Sequence, residues 1–132
     1  MKLTSQQKWK IFASSSMFLS VAMGAFGAHA LKNYFIQHPD LKEIYHTAVL
    51  YQMIHSIGLL YCAQYVLGVH SLERWICRAM GMGIVFFSGS LYILVFTQVR
   101  LWGAVTPIGG VCFLLAWALL VWSFARQTQK SL

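Results

Sequence analysis

The chain has 132 residues, 58% of them hydrophobic and 10% charged, with a formal net charge of +7 and a mean hydropathy of +0.62. Soluble domains carry roughly 25% charged residues, so this composition argues against a water-soluble globular domain and points to a lipid bilayer. Nucleic acid is not the expected partner of the positive charge, because the basic residues flank apolar stretches in ones, twos and threes and form no stripe.

Four apolar stretches, at about 11–31, 44–67, 76–96 and 107–124, predict an all-α protein: a single four-span membrane domain over 1–132. About 20 residues at 1.5 Å rise cover a hydrocarbon core of roughly 30 Å, and no stretch carries Lys, Arg, Asp or Glu in its middle. A soluble helical bundle would need polar outer faces, whereas these segments are apolar nearly all round. The first stretch repeats Ser16, Ser20, Gly24 and Ala28 every four residues, a ridge of small side chains where another helix can approach closely; Gly27 adds to it. Its lysine-bearing start and the Ala28-His29-Ala30 triplet imitate a cleavable signal. The apolar run is longer than a signal core, though, and is expected to be retained.

Before the second stretch, Asp40 and Glu43 have the spacing of a capping box, which predicts a helix starting near Leu41. Along that helix Tyr45, Gln52, Ser56 and Ala63 fall nearly on one line, with His55 about 80° to the side, so a broad polar and small face is expected to point into the bundle. His46 projects elsewhere, near the interface, where water satisfies it. On the third stretch Gly81, Ser88 and Tyr92 recur at i, i+7 and i+11, with Gly89 next to Ser88. Thr106 as N-cap and Pro107 at the first helical position open the fourth, followed by Gly109 and Gly110 as close-packing positions.

Seven basic residues (Lys2, Lys8, Lys10, Arg74, Arg78, Arg126, Lys130) lie on one side of this topology and three (Lys32, Lys42, Arg100) on the other, which places both termini in the cytoplasm. Trp9, Trp75 and Trp122 at one set of ends, and Tyr34, Tyr45 and Trp102 at the other, fit interfacial belts. Cys62, Cys77 and Cys112 occur singly and read as small apolar packing residues.

Polar groups in lipid need partners. Converted to depth at 1.5 Å per residue, the unusual residues of all four stretches fall in one leaflet. His29, Gln52, His55, Ser56, Ser88 and Tyr92 therefore form the candidate set, as an interhelical hydrogen-bond network or as the lining of an outward-facing pocket. Two nearby histidines are too few for a zinc site, and neither a metal nor a cofactor is expected. No Asp or Glu lies within a stretch to drive a proton-coupled pump or orient a catalytic histidine, and no G-x-S-x-G or phosphate-binding loop occurs, so no catalytic residue is assigned. A lone four-helix bundle leaves little room for a cavity, so a homo-oligomer, or an accessory role beside another membrane protein, is the expected state.

The strings Gly24-Ala25-Phe26-Gly27-Ala28-His29, Tyr51-Gln52-x-x-His55, Phe87-Ser88-Gly89-Ser90-Leu91-Tyr92 and Arg100-Leu101-Trp102-x-x-x-Thr106-Pro107-x-Gly109-Gly110 closely resemble the YgdD-like family of small multipass inner-membrane proteins. The resemblance covers nearly the whole chain. It implies a bacterial inner-membrane location and a family without an assigned activity, and it carries over no catalytic or ligand residue.

Overall fold

The computed structural model describes residues 2–66 and 71–130; Leu67, the expected end of the second stretch, lies outside them. All regular structure among the described residues is helical. Helix α1 spans Ser5–His29 and begins at a true capping box, in which the Thr4 hydroxyl accepts from the Gln7 amide and the Gln7 side chain accepts from the Thr4 amide. After a short α2, Lys32–Gln37, helix α3 runs Pro39–Tyr61 and continues through one π-helical turn, Cys62–Val66. Helix α4, Ser71–Gly83, passes through a second π-helical turn, Ile84–Ser88, directly into α5, Gly89–Thr97. A 3-10 turn at Arg100–Ala104 leads to α6, Thr106–Lys130.

Two expected caps do not form. His38 precedes α3 without a side-chain cap, and Pro39 starts the helix early enough that Asp40 already sits in its first turn. There the carboxylate favours the positive end of the helix dipole instead of closing a box with Glu43. Thr106 is itself the first residue of α6, and its hydroxyl lies 2.9 Å from Ser90 Oγ of α5.

Among the described residues three helical segments are long and apolar enough to cross a membrane: Ser5–His29, Leu72–Thr97 and Arg100–Arg126. Helix α3 is not among them, because His46, Gln52, His55 and Ser56 interrupt its apolar sequence. Of those side chains Gln52, His55 and Ser56 are buried and His46 is exposed. The most apolar window of Leu72–Thr97 is 50% buried against 22% for each of the other two. It therefore forms the centre together with α3, with α1 packed along α3 and α6 packed against α4.

Among the described residues the core has two apolar clusters. One gathers Ala13, Leu59, Ile76, Cys77, Met80 and Phe113; the other gathers Phe35, Leu41, Tyr45, Val49, Leu94 and Val95 toward the opposite end. In α1 the buried stripe is Ala13, Ser16, Ser20 and Gly27, while Gly24 is half-buried and Ala28 exposed. A Cβ on Gly27 would run into the Tyr45 ring, and one on Gly81 would come within 2.7 Å of Trp9. A Cβ on Gly109 would meet the Phe87 backbone, so α6 and the π turn touch main chain to main chain there. Gly24 and Gly110 have only ordinary neighbours at 3.6 and 3.9 Å, and Gly89 has no heavy atom within 4 Å, so it faces open space instead of a helix.

Candidate functional site

Between the two apolar clusters the bundle carries a polar layer. Gln52 is its centre: Nε2 donates to the Ser16 carbonyl at 3.0 Å and lies 3.4 Å from Ser16 Oγ, while Oε1 accepts from the Tyr92 hydroxyl at 2.8 Å. Ser56 Oγ lies 2.7 Å from Ser16 Oγ and 2.6 Å from the Gln52 carbonyl. Ser56 Oγ is the donor toward both, and its one hydroxyl proton is divided between the two acceptors. Three elements are thereby tied together: α1 through Ser16, α3 through Gln52 and Ser56, and α5 through Tyr92. Ser16 was readable as a small packing residue, but its role as the hub of this network was not. A helix wheel shows which face a serine occupies and not which acceptors lie opposite.

His55 belongs to a different surface of α3. Its Nδ1 donates to the Tyr51 carbonyl at 2.8 Å, which fixes the proton on Nδ1. Its ring stacks on Phe113 of α6 at a centroid distance of 3.5 Å, and Tyr51 stacks on Phe87 at 4.4 Å. The histidine is thus one member of an aromatic group joining α3, the π turn and α6. His29 is exposed at the end of α1. Two residues past the buried Gly27 it points about 200° away, and His55 lies ten residues beyond Gly27's neighbour Tyr45, roughly 15 Å along α3. The two histidines are not brought together. Among the described residues no group of three His, Cys, Asp or Glu side chains is placed to hold a metal ion.

Further polar ties lie outside this layer. Tyr45 donates to the Met23 carbonyl at 2.6 Å and Tyr34 to the Val95 carbonyl at 2.7 Å. Glu73 is 2% exposed, one helical face with Cys77, Met80 and Ile84. It lies three residues before the expected third stretch, and its i, i+4, i+7, i+11 spacing with those residues was the available signal.

Ser88 departs from the pattern of satisfied groups. It ends the π turn, is 1% exposed, and its Oγ has no hydrogen-bond partner. It lines a cleft of about 360 Å³ between α1 and the α4–α5 helix, floored by Gln52 and walled by Phe12, Leu19, Val85 and Tyr92.

Residues 23–110 match a family model described as a protein of unknown function, DUF423. The chain belongs to this family. The UPF0382 inner membrane protein YgdD of Escherichia coli (strain K12) is 40% identical over 121 residues, covering 91% of each chain. UPF0382 membrane protein YwdK of Bacillus subtilis (strain 168) is 41% identical over 117 residues, covering 84% of this chain and 90% of its own. UPF0382 membrane protein SSP2132 of Staphylococcus saprophyticus is 43% identical over 112 residues, 84% of this chain and 91% of its own. No solved structure matches the chain. The resemblance seen in the four sequence strings is therefore borne out, and the DUF423 relatives are named as membrane proteins without the name of an enzyme. The matched span holds Gln52, His55, Ser56, Ser88 and Tyr92, whereas Ser16 precedes it.

Proposed function

We propose that this DUF423 protein is a non-enzymatic structural or accessory component of the inner membrane. In this reading α3 is a fourth span, and both termini face the cytoplasm. The observation that carries the reading is that Ser16, Gln52, Ser56 and Tyr92 spend their polar atoms on one another. Such a layer holds helices in register; interhelical pairs of this kind contribute about 0.6 to 2 kcal/mol in membranes. Support for the fourth span comes from length and burial together. The 23 residues of α3 extend about 35 Å; beyond the exposed polar residues of its first turns, Asp40 to His46, the polar side chains Gln52, His55 and Ser56 are turned inward. The outer faces of α1 and α6 are apolar, with Phe18 73%, Leu114 71% and Val121 68% exposed. They offer contact area to lipid, a second copy or another membrane protein.

Reporter fusions at each terminus test the topology: four spans put both on the same side, and opposite sides refute it. Native mass spectrometry from mild detergent tests the accessory role. A defined homo-oligomer or a stoichiometric protein partner supports it, and a monomer throughout overturns it.

A further inference from the structure

We infer that the cleft at Ser88 is a binding site for a small, largely hydrocarbon molecule dissolved in the membrane interior that presents a carbonyl oxygen, the chemistry of the isoprenoid quinones. Three observations converge on it. The helix departs from α geometry at Ile84–Ser88, and single π turns concentrate where a helix re-aims a side chain for a function. The turn ends on Ser88, whose Oγ is enclosed and unpartnered. An unmatched hydroxyl in an apolar interior is costly, and here it survives beside a layer in which the neighbouring polar groups are paired. Finally, Ser88 is one of the residues lining a cleft of about 360 Å³, within the range of small-molecule pockets.

The chemistry of the occupant is set by the groups that line the cleft. Gln52 Oε1 and the Tyr92 hydroxyl are engaged with each other, and Gln52 Nε2 is engaged with Ser16. That leaves the hydroxyls of Ser88 and of Ser15, which also lines the cleft, as the polar features to be matched, and a ligand acceptor matches either. The walls at Phe12, Leu19, Ile84 and Val85 ask for a hydrocarbon or aromatic body. Leu19 and Val85 are each 53% exposed, so the cleft opens on the lipid-facing side of the bundle. It lies beside Ser16 and Gln52, midway along α1 and α3, which in the four-span arrangement is remote from the headgroups and their ester carbonyls. Gly89, with nothing within 4 Å of its missing Cβ, leaves the space beside Ser88 open.

The test uses the full chain in nanodiscs of a synthetic phosphatidylcholine and titrates a short-chain benzoquinone, read by quenching of intrinsic tryptophan fluorescence. Saturable binding is expected, weakened roughly five- to tenfold in Ser88→Ala by loss of one hydrogen bond and abolished in Val85→Trp, which fills the cleft from its exposed edge. Ser88→Ala removes only the unpartnered hydroxyl, so without quinone it is expected to melt at or above the parent temperature. That separates lost binding from lost folding. Non-saturable quenching, or equal affinity in the parent and both variants, overturns the inference. So does a stoichiometric phospholipid adduct in native mass spectra that disappears in Ser88→Ala, which would make the occupant a lipid.

Discussion

The adjacent glycines at the start of α6 give the sharpest test of how this bundle is held together. An alanine Cβ at Gly109 would lie 2.7 Å from both the Cα and Cβ of Phe87 and still nearer its backbone nitrogen, whereas at Gly110 the nearest atoms are ring carbons of Phe87 at 3.9 Å. Backbone cannot swing aside as a side chain does. Restoring ordinary contact requires α6 to withdraw by roughly 1 Å, and a gap of that size forfeits about a quarter to a half of the dispersion attraction along the seam. Overpacking of this kind costs about 1–3 kcal/mol, and in a membrane no hydrophobic drive between helices compensates. Gly89→Ala is the counter-case, since its Cβ meets nothing and the helix gains up to about 1 kcal/mol of propensity. Unfolding in mixed micelles by titrated SDS, followed by near-UV circular dichroism, should place Gly109→Ala well below the parent, Gly110→Ala near it, and Gly89→Ala at or above it. Stabilities for Gly109→Ala and Gly89→Ala within about 0.5 kcal/mol of each other would refute the argument, because that is the usual spread of substitutions that touch no special feature.

The polar layer predicts non-additivity: Gln52→Leu and Tyr92→Phe should each destabilise, and a double-mutant cycle in the same assay should return a coupling of about 0.6–1.7 kcal/mol for their 2.8 Å hydrogen bond. At His55 the stacking matters more than the imidazole, so His55→Phe is expected to cost under about 1.5 kcal/mol and His55→Ala about 3 kcal/mol or more, read as melting temperatures in detergent. Cys62, Cys77 and Cys112 are buried free thiols. A bulky maleimide should leave the mass of the folded protein unchanged and add three labels after unfolding in SDS; labelling of the folded protein would contradict the core placement of all three.

The all-helical fold was legible because lipid forces backbone groups to pair within a segment, and apolar length then announces each helix. The inward face of α3 was legible for a related reason: Tyr45, Gln52 and Ser56 are spaced by the helical repeat, and α3 keeps that repeat unbroken from Pro39 to Tyr61; Ala63, on the same line, falls in the π turn that follows and is buried too. Helix starts were read less well. The Asp40–Glu43 spacing satisfied a pattern that Pro39 pre-empted, while the box that forms, Thr4 with Gln7, precedes a run too polar at its outset to mark a span. His29 was grouped with the inward residues by depth alone. Depth and direction are independent coordinates on a helix, and the 200° from Gly27 turns it outward.

The third stretch shows where periodicity fails for a physical reason. The face counted through Gly81, Ser88 and Tyr92 assumes a constant rotation per residue, but the π turn at Ile84–Ser88 inserts an extra residue and rotates α5 by about 100° relative to an unbroken helix. The three positions still share Phe12 of α1 as a neighbour, but their polar atoms fare differently. Gly81 lies under Trp9 and Phe12 of α1, Tyr92 reaches Gln52 of α3, and Ser88 between them has no hydrogen-bond partner. No residue type in Ile84-Val85-Phe86-Phe87-Ser88 announces such a turn. Tertiary contacts converge on it: Gly109 admits the Phe87 main chain against α6, and Tyr51 stacks on the Phe87 ring from α3. The distortion that ends on Ser88 and the glycine that seats α6 are thus parts of one packing solution. Loss of the Gly109 contact should therefore disturb the Ser88 cleft as well as stability, so that Gly109→Ala weakens benzoquinone binding in nanodiscs while Gly110→Ala leaves it unchanged. Equal binding in the two variants would show that the π turn is set by α3 alone.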